Sequence, residues 1–358
     1  MRLRAPLPAA AVLALAASAC ASKPAAPPAP PPVTAPPAAE LARSGLAVVK
    51  EADIVLHDSS RKREIPVHVD YPEGDGKFAV IVFSHGEGGS PRTDEALLRF
   101  WASHSFVVLA PSHADAVSGA ARDPASESAR EPAGDATRDV RSWESRVRDL
   151  SFVVAATAAV EAALPALQGK LDENRVGVAG QSYGAFGAML LAGASINVSR
   201  KERDKSFSDP IPRAFVLISP PGRGQQGLTE KSWTAVERPV MVVTGTRDPG
   251  VKNQDPSWRL DAYQLSPPQG KFAVFIEGAS HLSLTGLAAE PGAAPPKTPG
   301  KPTNSPEEEV AIFKCVRIAT LAFWDAYLKE DAAASAFLKS DALMTDSNNR
   351  AQLLRRQN

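Results

Sequence analysis

The chain is poor in cysteine, with only Cys20 and Cys315 in 358 residues, and has no excess of charge, its formal net charge being +0. Each scarcity excludes something. Two thiols so far apart cannot form the framework of a disulfide-stapled domain. Balanced charge without a basic stripe lacks the electrostatic footprint of a nucleic-acid binder. Beyond the first twenty residues no apolar run approaches the ~18 residues needed to cross a bilayer. The glycine-rich stretch Ser84–Gly89 lacks the Gly-Lys-Ser/Thr ending of a phosphate loop. What remains is a chain 44% hydrophobic and 22% charged, long enough for one large α/β domain with additions.

The N-terminus reads as targeting rather than fold. Arg2 and Arg4 form a basic start, Leu7 to Ala19 an apolar core, and Ala17-Ser18-Ala19 place small residues before Cys20. Residues 1–20 resemble a bacterial lipoprotein signal, departing from it at Ala17, where leucine is usual. That resemblance implies lipidation of Cys20, export and anchoring in the envelope; cleavage as an ordinary signal peptide, giving a periplasmic or secreted protein, is the competing expectation. Ser22 in place of aspartate points to the outer membrane. Residues 21–45, dominated by proline and alanine up to Ala39, read as an extended spacer. With Cys20 acylated, Cys315 stands alone, in a helical pattern that suggests a buried structural thiol.

From residue 46 to about 335 the pattern is that of a folded domain, followed by a tail over 336–358. Ala47–His57 and Arg63–Tyr71 predict an antiparallel edge pair, with Ile65, Val67 and Val69 alternating against polar neighbours. Phe78–Phe83, Phe106–Ala110, Ala214–Ile218, Val240–Thr244 and Lys271–Ile276 are apolar runs of strands buried on both faces. Helices are expected over Asp94–Ser103, over one long stretch from Val140 to Leu164, and from Pro306 to about Lys329. The last opens on the capping box Ser305-Pro306-Glu307-Glu308. Residues 112–137 and 196–212 read as irregular loops, the first a candidate rim or lid. Strands alternating with helices imply a mostly parallel central sheet with helices on both faces.

The chemistry is concentrated at Val176–Gly187, where a β-branched run reaches Gly180-Gln181-Ser182-Tyr183-Gly184 and continues as a helix. This is G-x-S-x-G in strand–turn–helix context, which holds a serine hydroxyl at the top of a sheet beside the positive end of a helix. Such a hydroxyl needs a base and a group to orient that base. Asp248 follows the strand ending at Thr244, and His281 follows the strand ending at Ile276. The order Ser182, Asp248, His281 is that of α/β-hydrolases. Asp255 and Asp261 are weaker acid candidates, while His57, His68, His104 and His113 precede the serine. A developing oxyanion would be held by the backbone N–H of Tyr183 and a second from the Ser84–Gly89 loop, assigned to Glu87 with Gly88 as alternative; His85 reads as an organiser of that loop.

Together these features resemble the α/β-hydrolase superfamily over roughly residues 46–330. Phe83–Ser90, Trp101–Val108, Asp149–Val154, Arg175–Phe186, Thr244–Asp248 and Gly278–His281 are similar to the branch of platelet-activating-factor acetylhydrolases and dienelactone-hydrolase-like esterases. Ser182 argues against dienelactone hydrolases proper, which use cysteine. Gln181 and Glu87 depart from the histidine and apolar residue common there. The resemblance implies the α/β-hydrolase fold and a serine esterase acting through an acyl-enzyme, on a small-molecule or lipid-like ester, with no metal or organic cofactor, no nucleic-acid partner, and membrane contact only through the lipid anchor. Amide or peptide hydrolysis, acyl transfer on the same residues, and a non-catalytic envelope lipoprotein of this fold are the alternatives.

Overall fold

Apolar runs that are buried on both faces form the centre of the molecule. The computed structural model describes residues 34–41, 47–114, 116, 140–289 and 303–356. Among these, nine strands make one sheet: β1 (Val49–Asp58), β2 (Arg63–Pro72), β3 (Phe78–Ser84), β4 (Phe106–Pro111), β5 (Leu171–Gln181), β6 (Ala214–Ile218), β7 (Val240–Arg247), β8 (Lys271–Ser280) and β9 (Ala351–Arg355). Their spatial order is β1-β2-β4-β3-β5-β6-β7-β8-β9. The strands from β4 through β8 pair in parallel, and the outer pairings β1–β2, β2–β4 and β8–β9 are antiparallel. Parallel strands covered on both sides need no polar face, so β3, β4 and β6 are buried along their whole length.

The helices are α1 (Ala38–Leu41), α2 (Glu95–Ser103), α3 (Val140–Val154), α4 (Thr157–Ala163), α5 (Tyr183–Leu191), α6 (Asp261–Gln264), α7 (Pro306–Leu328), α8 (Ala332–Leu338) and α9 (Ala342–Asp346). They cover the two faces. Leu97, Leu98 and Trp101 of α2 and Ile312, Val316 and Phe323 of α7 pack one face; Trp143, Val147 and Leu150 of α3 and Phe186, Met189 and Leu190 of α5 pack the other. The capping box forms as its residues require. Ser305 Oγ accepts from Glu308 N–H at 3.2 Å, and Glu308 Oε2 accepts from Ser305 N–H at 2.8 Å. Cys315 is buried, which pushes its thiol up to about 11 and leaves it protonated.

Several expectations need correction. The helix from residue 140 stops at Val154 and a second begins at Thr157, because α3 packs on α5 while α4 packs on β1 and β5. The stretch read as a tail, 336–358, carries the end of α8, α9 and β9. Its strand Ala351-Gln352-Leu353-Leu354-Arg355 has little β-branching, and pairing with the open side of β8 overrides that propensity. Residues read as the end of the spacer are docked, Ala38 and Leu41 being buried in the core. Two of the polar neighbours on β2 are not solvent-facing: His68 and Asp70 are buried while Glu64 is exposed, with His68 Nδ1 2.7 Å from Asp53 Oδ1 and Asp70 3.7 Å from Arg99 of α2. The segment 196–212 is irregular, with one isolated bridge, Ile196–Lys205. The expected signal with Cys20, most of the spacer and most of the loop at 112–137 lie outside the described residues. Among the described residues no helix is long and apolar enough to cross a membrane.

Replacing Ser305 with Ala removes the acceptor for Glu308 N–H and should lower unfolding stability by about 1 kcal/mol, read as a shift in urea midpoint at constant slope. A neutral result would mean that the buried face of α7 alone sets its start.

Candidate active site

Ser182 sits between the last residue of β5 and the first of α5, with φ 54° and ψ −112°. A non-glycine residue held there carries strain of about 1–3 kcal/mol, sustained because both sides of the turn are fixed. Ser182 N–H donates to Ile218 C=O of β6 at 2.8 Å, and Phe186 N–H donates to Ser182 C=O at 3.1 Å. The turn is closed by contacts that only glycine permits. A Cβ on Gly184 would lie 1.9 Å from Ser84 O, and one on Gly180 would lie 2.3 Å from the Gly184 carbonyl carbon. Helix α5 therefore starts against the end of β3, beside the Ser84–Gly89 loop.

Asp248 and His281 follow β7 and β8 and are brought together: Asp248 Oδ1 lies 2.9 Å from His281 Nδ1. Asp248 is fully buried, yet its carboxyl is held below the usual carboxylate range. Burial pushes it up, and the bond and charge of His281, the Arg259 guanidinium and the Ser219 hydroxyl together outweigh that. Arg259 Nε is 2.9 Å from Asp248 Oδ1, and Thr244 Oγ1 donates to Asp248 Oδ2 at 2.9 Å. Ser219, at the end of β6 with φ 55°, donates its hydroxyl to Asp248 Oδ2 and lies 2.8 Å from His281 Nδ1. Asp255 is exposed and caps a turn through Ser257 N–H, and Asp261 pairs with Arg223, so neither reaches the histidine.

The other ring nitrogen meets an unexpected neighbour. Gln181 Nε2 lies 3.2 Å from His281 Nε2. The tautomer with its proton on Nδ1 satisfies the Asp248 and Gln181 contacts: Nδ1–H donates to Asp248, and Nε2 accepts from the Gln181 amide. Among the described residues no hydrogen bond joins Ser182 Oγ to His281. Gln181 is buried, and a Cβ on Gly86 would lie 2.4 Å from its Oε1 and 3.7 Å from Ser182 Cβ. The side chain of Gln181 thus fills the space between the Ser84–Gly89 loop and His281. Tyr183 N–H is at the first position of α5, and Glu87 and Gly88 form the turn of the loop, closed by Gly89 N–H donating to Gly86 C=O at 3.1 Å.

Beneath that loop is a polar cluster that sequence reasoning only touched. His85 Nδ1 donates to Gly86 C=O at 2.7 Å, in keeping with a loop-organising role. Ser84 Oγ lies 3.0 Å from His113 Nε2, and His113 Nδ1 lies 3.2 Å from Asp149 Oδ2. Asp149 also accepts from Arg61 at 2.8 Å and Arg63 at 3.0 Å, and its carboxyl too is held low against the upward push of burial, by His113 and these arginines. Arg146, one helical turn before Asp149 on α3, reaches the same loop. Arg146 and Ser219 carried no motif, and Asp149 stood only at the head of the Asp149–Val154 stretch; the i,i+3 spacing of Arg146 and Asp149 on one helix face hinted that they act together.

A model of the family described as Chlorophyllase, a group of α/β-hydrolase-like esterases, matches residues 39–200. With a mostly parallel sheet covered on both faces and a serine on a strained strand–helix turn, this decides the fold. The chain has the α/β-hydrolase fold. The match takes in the Ser84–Gly89 loop, α3 and the Ser182 turn and ends before β6, so Asp248 and His281 lie beyond it. No curated protein matches the chain significantly.

The depressed Asp248 sets a pH dependence. Its unfolded counterpart titrates near about 3.9, above the folded value, so its contribution to stability is present above pH ~4 and is lost as pH falls through the folded value. Urea midpoints should hold from pH 7 to 5 and drop below 4, with a lower plateau and a shallower acid drop in Asp248→Asn. Parallel curves for the two proteins would assign the acid loss to other carboxylates.

Proposed function

We propose that this α/β-hydrolase is a serine ester hydrolase in which Ser182 is the nucleophile, His281 the general base and acid, and Asp248 the group that orients the base. The reading is carried by one observation: the Asp248–His281 pair, 2.9 Å apart, stands at the same sheet edge as a serine held at φ 54°. His281 exchanges the Gln181 amide for the Ser182 hydroxyl and takes its proton at Nε2 as Oγ attacks the ester carbonyl. Asp248, buried and ionised, stabilises the imidazolium. The oxyanion is held by the N–H groups of Tyr183 and Glu87. Collapse breaks the C–O bond, and the alkoxide leaves with the proton from His281. Water, deprotonated by the same nitrogen, attacks the acyl-enzyme; the acid is released and Ser182 regains its proton.

An ester of apolar character is favoured by Leu282, 46% exposed next to His281, and by Leu287, 44% exposed five residues on. Placement in the acetylhydrolase and dienelactone-hydrolase-like branch rests on the Ser-His-Gly-Glu-Gly-Gly loop, and narrower substrate assignment is part of this proposal. A fluorophosphonate probe should label the wild type and not Ser182→Ala. Against short- and long-chain p-nitrophenyl esters, Ser182→Ala and His281→Ala should each lose about four orders of magnitude in kcat or more. An unlabelled, inert wild type would sink the enzyme reading in favour of a binding lipoprotein, and faster turnover of peptide substrates would move it to amide hydrolysis.

The proposal extends to location: an exported protein anchored through lipid on Cys20, supported by the basic start, apolar core and small residues before that cysteine. In a Gram-negative expression host the wild type should partition with membranes and Cys20→Ala with the soluble fraction. Equal partitioning of the two would remove the anchor.

A further inference from the structure

Arg146 is a charged side chain only 2% exposed. Its guanidinium reaches the loop after β3. Nη1 donates to His85 C=O at 2.6 Å and to Ser84 Oγ at 3.2 Å, and Nη2 donates to Gly86 C=O at 3.1 Å. The guanidinium carbon also lies 4.5 Å above the centre of the Tyr183 ring. One planar group thus touches the loop after β3 and the residue after Ser182.

A trans peptide is planar, with its C=O and N–H pointing in opposite directions. The carbonyl of the Gly86–Glu87 peptide is held on one side by Arg146, by His85 Nδ1 at 2.7 Å and by Gly89 N–H at 3.1 Å. Its N–H, that of Glu87, is therefore turned away from Arg146. The missing side chain of Gly86 marks which way the loop faces the site, since a Cβ there would point at Gln181 Oε1 and Ser182 Cβ. The fork geometry of arginine suits the task, since two N–H groups at fixed separation set the orientation of two consecutive peptides at once. Arg146 is itself positioned through Ser84, whose hydroxyl lies on His113, backed by Asp149 and the arginines of the β1–β2 hairpin.

From this we infer that Arg146 is the positioning residue of the oxyanion site. It orients the Glu87 N–H through the His85 and Gly86 carbonyls, and holds Tyr183, which supplies the other donor, through its ring. The inference rests on the serine-hydrolase reading above. It makes Arg146 matter to the transition state and not to substrate binding, because the N–H it aims engages an oxygen that becomes charged only as the tetrahedral intermediate forms.

The test compares wild type, Arg146→Met and Arg146→Lys on a short-chain p-nitrophenyl ester and on a trifluoromethyl ketone of matching acyl chain, whose serine adduct carries an oxyanion. In Arg146→Met, kcat should fall about a hundredfold with KM within about threefold. The ketone inhibition constant should rise by the factor by which kcat/KM falls. Added methylguanidinium should restore part of that activity and leave the wild type unchanged. Arg146→Lys, which keeps the charge but loses the fork and the flat face, should fall in between; it carries the comparison alone if the methionine variant does not fold. A folded variant with wild-type kcat, or one that loses kcat while binding the ketone as before, would overturn the inference and leave the esterase reading standing. A wild type inert to the ester, the ketone and the fluorophosphonate would overturn both.

Discussion

The closeness with which α5 passes the end of β3 is the constraint on which the rest of the site depends. Backbone stands against backbone there, with Gly184 over the Ser84 and His85 carbonyls. That contact brings the N–H groups of two chain segments, a hundred residues apart in sequence, to one small volume. It also accounts for the strain at Ser182: the turn that keeps α5 so near leaves its residue no relaxed conformation. The rigidity is supplied from the flanks, by Ile218 accepting from Ser182 N–H and by a helix whose buried face is apolar throughout.

Two histidine–aspartate pairs share this end of the sheet, and exposure separates them. In the first, His281 has a side chain 38% exposed and joins Asp248; in the second, Ser84, His113 and Asp149 are sealed under α3. The same hydrogen-bonding chemistry leaves one imidazole open to solvent and seals the other into a rigid strut. Both aspartates are buried charges that would be costly alone, and each is matched by arginine: Asp248 by Arg259, Asp149 by Arg61 and Arg63. The sealed array uses its strength to fix loop geometry.

How much of this was legible in the chain follows from where each signal lies. Ser182, Asp248 and His281 each end an apolar run, so strand periodicity and turn residues located them one by one. The central strands and the Ser305 capping box were readable for the same reason, since each is decided within a few residues. Arg146, Ser219 and the Gln181–His281 contact were not, because each acts through a partner brought near only by the sheet order. The burial of His68 and Asp70 depends on α2 crossing β2, which alternation along β2 does not record. The docking of 351–355 as an edge strand depends on β8 having an open side, since its own residues favour no strand.

That edge strand has a consequence for solubility. β9 is the outer neighbour of β8, which carries His281 at its end. With β9 undocked, one side of β8 would show unpaired backbone to solvent, an invitation to pair with another chain. A short strand of little β-branching therefore closes the sheet and shields the strand that ends at His281.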